Sequence, residues 1–343
     1  MRSVLLIAVL SVASVAGANV WERAVVGDSG ALDAYRDAMS QGDGYVQQAT
    51  AMGVTYVQTK ELVEKAIAAY QLAATKRPDE GEPYFRIAET LGTFYTDCPL
   101  FVRSGMGVPL TCGRTGRPSK LDPARGQQAS DAWDEFEKRA PLDPRVNDAR
   151  FERAILRTKL VDTAHDAKPL LERALEDYQS LLDRADGTSN FEPETVWGNL
   201  AETYMMLGRL EEAIDAYKVA VSMGANASTS YGLAVALDRD DSPAEALDVI
   251  RAQGIDAVRQ YIIYFKTGAI FYVPDGEEHY YIALLCEAWG HPYIAAVEWQ
   301  AFIASGAHAR YQARAKQHLA EQSKLAKQHP EERSLTLEEI FDL

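Results

Sequence analysis

Six histidines, His165, His279, His291, His308, His318 and His329, are the first candidates for chemistry in this 343-residue chain, because imidazole moves protons and binds metals near neutral pH. Their spacing suits neither task. There is no H-E-x-x-H and no zinc-site spacing, so the expected metal set is none and the histidines read as surface or helix-end groups. A G-x-S-x-G elbow, a P-loop, a dinucleotide-binding glycine pattern and a C-x-x-C pair are all missing from the sequence. The acidic stretch Asp238-Arg239-Asp240-Asp241 lacks the glycine and distant glutamate of a calcium loop and reads as a turn leading into a helix. Asn226-Ala227-Ser228 has the acceptor pattern for N-glycosylation. The sequence thus predicts no catalytic residues, no enzyme and no cofactor.

Two stretches carry chemistry of another kind. Cys98 and Cys112 flank a segment rich in Gly and Pro and are expected to form a disulfide if the chain reaches an oxidising compartment. The segment from Cys98 to Lys120 contains no acid and four bases, Arg103, Arg114, Arg117 and Lys120, a local reversal of sign in an acidic chain. It reads either as a soluble connector or as an arm that attracts an anionic partner. Further on, Tyr261, Tyr264, Phe265, Phe271, Tyr272, Tyr280 and Tyr281 form the densest aromatic cluster. Two β-prone runs around Gly268 predict a hairpin over 259–273, with a helix through Tyr261 as the other reading. Tyrosines present flat area with a polar tip, suited to peptides or sugars, and also fill cores.

The elements that must position these groups begin after a leader. Arg2, the apolar run Val4 to Val15 and the small residues Ala16-Gly17-Ala18 predict a secretory signal over 1–18, hence an exported protein, periplasmic with an extracellular location as the other reading. No other apolar stretch is long enough to cross a bilayer, so no transmembrane span is expected after cleavage. Asp plus Glu total 50 against 35 Lys plus Arg, a net charge of −15, which argues against a nucleic-acid partner. Residues 19–53 read as a helical cap, 54–325 as the body with its insertions at 98–120 and 259–273, and 326–343 as a tail. Cys286 falls where a core residue is expected, as a small buried hydrophobe. Ser242-Pro243-Ala244-Glu245 and Thr336-Leu337-Glu338-Glu339 both read as capping boxes that start helices.

The body is repetitive. Trp197, Leu200, Ala201, Tyr204, Gly208, Ala213, Tyr217 and Ala220 stand at the separations of W-x-x-L-[GA]-x-x-Y, then G, then A-x-x-x-[FY]-x-x-A. Ala66, Tyr70, Ala73 and Pro78 supply a second helix of the same kind, and Tyr84, Ile87, Ala88 and Leu91 open the next unit in phase. By these residues the chain resembles the tetratricopeptide repeat family, with about six units of roughly 34 residues between Thr59 and Lys324. The resemblance implies an all-α fold, a right-handed solenoid of antiparallel helix pairs.

It also implies a groove lined by the first helix of each pair, which places Phe85, Glu89, Asn199, Glu202, Met206, Tyr231, Asp238, Tyr280 and Glu287 on the partner-binding wall. Of these only Asn199 matches the residue types with which some members clamp a C-terminal carboxylate. The function expected from the resemblance is a scaffold or adaptor for a protein or peptide partner in the cell envelope. A glycan or small-ligand module using the aromatic cluster 261–281 is the alternative.

Overall fold

The computed structural model describes residues 30–51, 54–94, 111–112, 117–118, 122–161, 164, 166–183, 191–224, 226–267, 273 and 276–343. The leader 1–18, Cys98, Arg103, Arg114 and Lys120 lie outside them. The described chain divides into two compact units, one of residues up to Phe94 with Gln128–Asp143, the other of Tyr95–Gln127 with Pro144–Leu343.

In the first unit, α1 (residues 30–49) is followed by α2 (Tyr56–Lys76) and α3 (Glu82–Phe94), and the C-terminal part of α4 (Pro123–Arg139) belongs with them. Helix α2 starts at a reciprocal cap in which Thr55 Oγ1 accepts from the Gln58 amide and the Gln58 side chain accepts from the Thr55 amide. Its buried residues Val63, Ala66, Tyr70 and Ala73 recur with the helical period and meet Ile87, Ala88 and Leu91 of α3. Phe85 stands edge-on to Trp133 at 5.3 Å and to Phe136 at 5.1 Å, so the aromatic rings of α3 and α4 close this core.

The second unit is a stack of helix hairpins. Its elements are α5 (Val146–Lys159), α6 (Lys168–Asp183), α7 (Pro193–Met206), α8 (Leu210–Ser222), α9 (Ala227–Arg239), α10 (Pro243–Gln253), α11 (Ile255–Thr267), α12 (Glu278–Ala288), α13 (Pro292–Ser305), α14 (Gln312–Leu325) and α15 (Leu337–Phe341). Each helix from α5 to α10 packs on the next, α10 reaches past α11 to α12, and the series resumes through α13 to α14. One continuous core runs from Ala154 to Phe341 and contains Leu200, Ala201, Tyr204, Ala213 and Tyr217, with Trp197 only partly buried against it. The small residues let the helix axes approach, and the large ones fill the space between them.

The turns explain why the pattern repeats. Gly208 between α7 and α8 has φ 73°, and Gly290 between α12 and α13 has φ 76°; both chains turn through the left-handed region that only glycine enters without penalty. After each, an amide reaches back five residues, Arg209 to the Tyr204 carbonyl and His291 to the Cys286 carbonyl, both at 2.9 Å. Between α9 and α10 the same turn is made by Asp241, at φ 58°, with Ser242 donating to the Leu237 carbonyl at 2.9 Å.

Three expectations are corrected. The hairpin over 259–273 is not formed: residues up to Thr267 belong to helix α11, because burying Val258, Tyr261 and Ile262 together on one helical face outweighs the β-preference of the Tyr-Ile-Ile run. A two-strand ladder occurs elsewhere, inside the 98–120 insertion, where β1 (Thr111–Cys112) pairs antiparallel with β2 (Arg117–Pro118). The disulfide expected between Cys98 and Cys112 is not seen: the pairing described for Cys112 is the backbone register with Arg117, and Cys98 lies outside the described residues. Finally, α10 does start at Pro243, but Ser242 makes no side-chain cap, since the turn at Asp241 leaves its backbone outside the extended geometry a cap needs. Thr336 does cap α15, reciprocally with Glu339. Cys286 is a free thiol with no solvent exposure, and burial pushes its pKa well up.

Candidate functional site

The first helices α7, α9 and α12 lie side by side, and their polar residues are held by contacts that bury them. Asp238, near the end of α9, has no exposed surface. It accepts hydrogen bonds from Tyr280 Oη at 2.5 Å, from Arg314 at 2.8 Å and from His318 Nε2 at 3.0 Å. The other ring nitrogen of His318 lies 2.9 Å from Glu287 of α12. A ring with a carboxylate at each nitrogen must carry both protons, so His318 is an imidazolium between Asp238 and Glu287. Burial disfavours that charge, yet the hydrogen bonds that the ring donates to both carboxylates prevail and raise the His318 pKa to about 9. Asp238 responds in kind: burial alone would raise it, and the bonds from His318 and Arg314 bring it down to about 2. Trp299 stacks on the imidazolium with centroids 4.6 Å apart and donates its indole N–H to Glu287 at 2.5 Å.

A second carboxylate, Glu277 just before α12, is paired with both Arg239 and His308. The Arg239 guanidinium lies 4.7 Å from the centroid of the Tyr280 ring and 4.4 Å from that of Tyr311. A third, Glu202 of α7, accepts from the Tyr217 hydroxyl; burial raises its pKa to about 7, against the opposing pull of that bond. Across the same face, Arg310 donates to the Gly208 carbonyl at 3.3 Å. The stretch from His308 to His318 therefore touches the start of α12, the α7 turn, α9 and the end of α12 in succession.

Beside this network lies a cleft of about 510 Å³ between α10, α12 and α14, with Pro243, Leu247, Glu287, Arg314, His318 and Gln322 among its lining residues. It combines apolar walls with charges that are already paired. Among the described residues no group of histidine, cysteine and carboxylate side chains is arranged to hold a metal ion, and no helix is long and apolar enough to cross a membrane.

The structure brings Asp238, Tyr280 and Glu287 together, but as buried members of a network rather than an open wall. Tyr231 and Asn199 are buried as well, the Tyr231 ring with its centroid 4.1 Å from that of Tyr261. Glu202 and Met206 are partly exposed on α7, the Glu202 carboxyl being the enclosed part. Phe85 and Glu89 belong to the first unit, where Glu89 pairs with Arg86 at 3.4 Å. Of the basic insertion, Arg117 is described only by its backbone in β2. The residues that the sequence reading missed are Arg239, Glu277, Arg314 and His318. A signal existed for the last two: Arg310, Arg314 and His318 recur every fourth residue, which puts three cations on one helical stripe.

Hairpins that share a core of small and aromatic residues and turn through a left-handed residue define an α-helical hairpin-repeat fold. No family model matches the chain, and no curated protein does. Among solved structures it is similar to Pseudomonas aeruginosa pilF, at 12% identity over 83% of this chain and 97% of that one, with a TM-score of 0.42. A tetratricopeptide repeat protein from Parabacteroides merdae is similar at 13% identity over 85% and 99%, with a TM-score of 0.34. A de novo designed helical repeat protein is similar at 14% identity over 90% and 100%, with a TM-score of 0.16.

Proposed function

We propose that this chain is an exported, non-enzymatic scaffold that holds a protein partner on the face of its first helices, in the periplasm of a cell envelope. The observation that carries the reading is the binding chemistry of that face: Asp238, Tyr280 and Glu287, from successive first helices, jointly grip a helical segment through Arg314 and His318. Stacked repeats make such faces because residues at equivalent positions of neighbouring hairpins fall in a row. Export rests on the sequence of residues 1–18. Of the aromatic cluster behind the glycan alternative, Tyr261, Tyr280 and Tyr281 lie in the core with at most 5% of their surface exposed, and the side chains of Tyr264, Phe265, Phe271 and Tyr272 lie outside the described residues.

The test is a photo-crosslinking residue at Met206, partly exposed on α7. In cells it should give a discrete adduct with one protein, in a fraction that also contains chain beginning at Asn19. A chain that keeps its leader and gives no adduct would overturn both parts of the reading.

A further inference from the structure

The first-helix face is covered by the chain's own C-terminal arm, whose helix α14 also packs along α13 with Tyr311 and Ala315 in the core, and the fit to the face is imperfect. The arm leaves α13 through Gly306 at φ 72° and then His308 at φ 42°, a left-handed conformation uncommon for a residue other than glycine. Where the arm meets α9, the Arg239 Nε and the Tyr311 hydroxyl are both buried without a hydrogen-bond partner, although the Tyr311 ring lies against that guanidinium. Buried polar groups are rarely left so, and each one weakens the contact that buries it. Three of the arm's cations nevertheless match the face: Arg310 the carbonyl end of α7, Arg314 the Asp238 carboxylate, His318 both Asp238 and Glu287. The pairing is specific in charge and frustrated in detail.

We propose that residues 307–325 are a resident pseudo-ligand, and that the face of α9 and α12 is the receptor for a helix of another protein bearing cations at every fourth position, which binds by displacing the arm. This rests on the scaffold reading above and names the class of partner. A competitor needs two features only, a helical stripe of Arg, Lys or protonated His at intervals of four and a partner for the Arg239 Nε. The arm then reduces the apparent affinity of any such helix by the fraction of chains in which it is released.

The experiment uses the full chain and, as probe, a fluorescein-labelled synthetic peptide spanning Ala307 to Gln328 of this sequence. Binding is read by anisotropy. The arm variant R314S/H318A is expected to take up the peptide at least about tenfold more tightly than the parent, with affinity falling as salt rises, and D238N/E287Q added to the arm variant should abolish it. Equal binding to parent and arm variant, or binding that survives D238N/E287Q, overturns the proposal, as does a folded arm variant that takes no peptide. Hydrogen exchange on the parent decides the matter even if the variant does not fold. Amides of α14 should exchange at least about tenfold faster than those of α12, whereas equal protection would make the arm an integral cap and end the proposal. A chain that crosslinks to a protein through Met206 but fails these tests keeps the scaffold reading and loses only this one.

Discussion

Glu202 and His318 titrate at unusual places for opposite reasons, and both make stability depend on pH. The Glu202 carboxyl has an ordinary value of 4.5 and is held near 7 in the fold by burial. The folded state thus keeps its proton longer than the unfolded one, and stability falls as pH rises through that interval, by roughly 2 kcal/mol between pH 5 and 8. Glu202→Gln leaves an acceptor for the Tyr217 hydroxyl and should remove that slope; urea denaturation of variant and parent at both pH values checks it, and parallel slopes would refute it. His318, ordinarily at 6.5 and here at about 9, contributes stability that is complete below 6.5 and is lost as pH rises through 9. His318→Ala leaves two buried carboxylates facing each other and should cost about 3 kcal/mol at pH 6, with a smaller cost above pH 9. The same denaturation series measures it.

At the scale of elements, the hairpins were legible because their determinants are local. Tyr217 and Trp197 show the limit of that legibility, since the pattern gives both the same core role while only Tyr217 is fully enclosed. Tyr217→Ala should therefore cost roughly 3 to 5 kcal/mol, and Trp197→Ala distinctly less, as thermal melts would show. Gly208→Ala forces a side chain into the left-handed turn and should cost about 1 to 2 kcal/mol. Helix α11 was misread because Tyr261-Ile262-Ile263 suits a strand or a helix equally well in isolation. What decides is the single buried face of Val258, Tyr261 and Ile262, together with the Asp256 to Arg259 ion pair at 3.1 Å on the other side. Of the candidate site, Asp238, Tyr280 and Glu287 could be read from the repeat phase. Their partners Arg314 and His318 were legible only as a stripe with Arg310, since a contact across 76 or 80 residues leaves no local spacing that says which carboxylates the stripe meets.

For the molecule as a whole, the contributions of Asp238, Glu202 and His318 overlap in one interval. Asp238, lowered from 3.8 to about 2, loses its contribution only in acid, and the other two lose theirs toward alkali. Conformational stability should accordingly peak between about pH 4 and 6 and decline toward pH 9, which a melting series across that range would test. The sequence pI of about 4.9 falls inside the same interval. Net charge vanishes there, so self-association should be strongest where the fold is firmest, and light scattering and melting temperature should rise together.

The enclosed Cys286 thiol supplies a clock for that fold. A thiolate is what alkylating reagents attack, and a sulfur with no exposure and a raised pKa presents none until the surrounding helices part. The rate at which the Cys286 peptide acquires label under native conditions is therefore the opening rate or opening equilibrium of α12 itself, according to whether reclosure is slow or fast beside the reagent. Every substitution described above can be timed by the same sulfur, without denaturant.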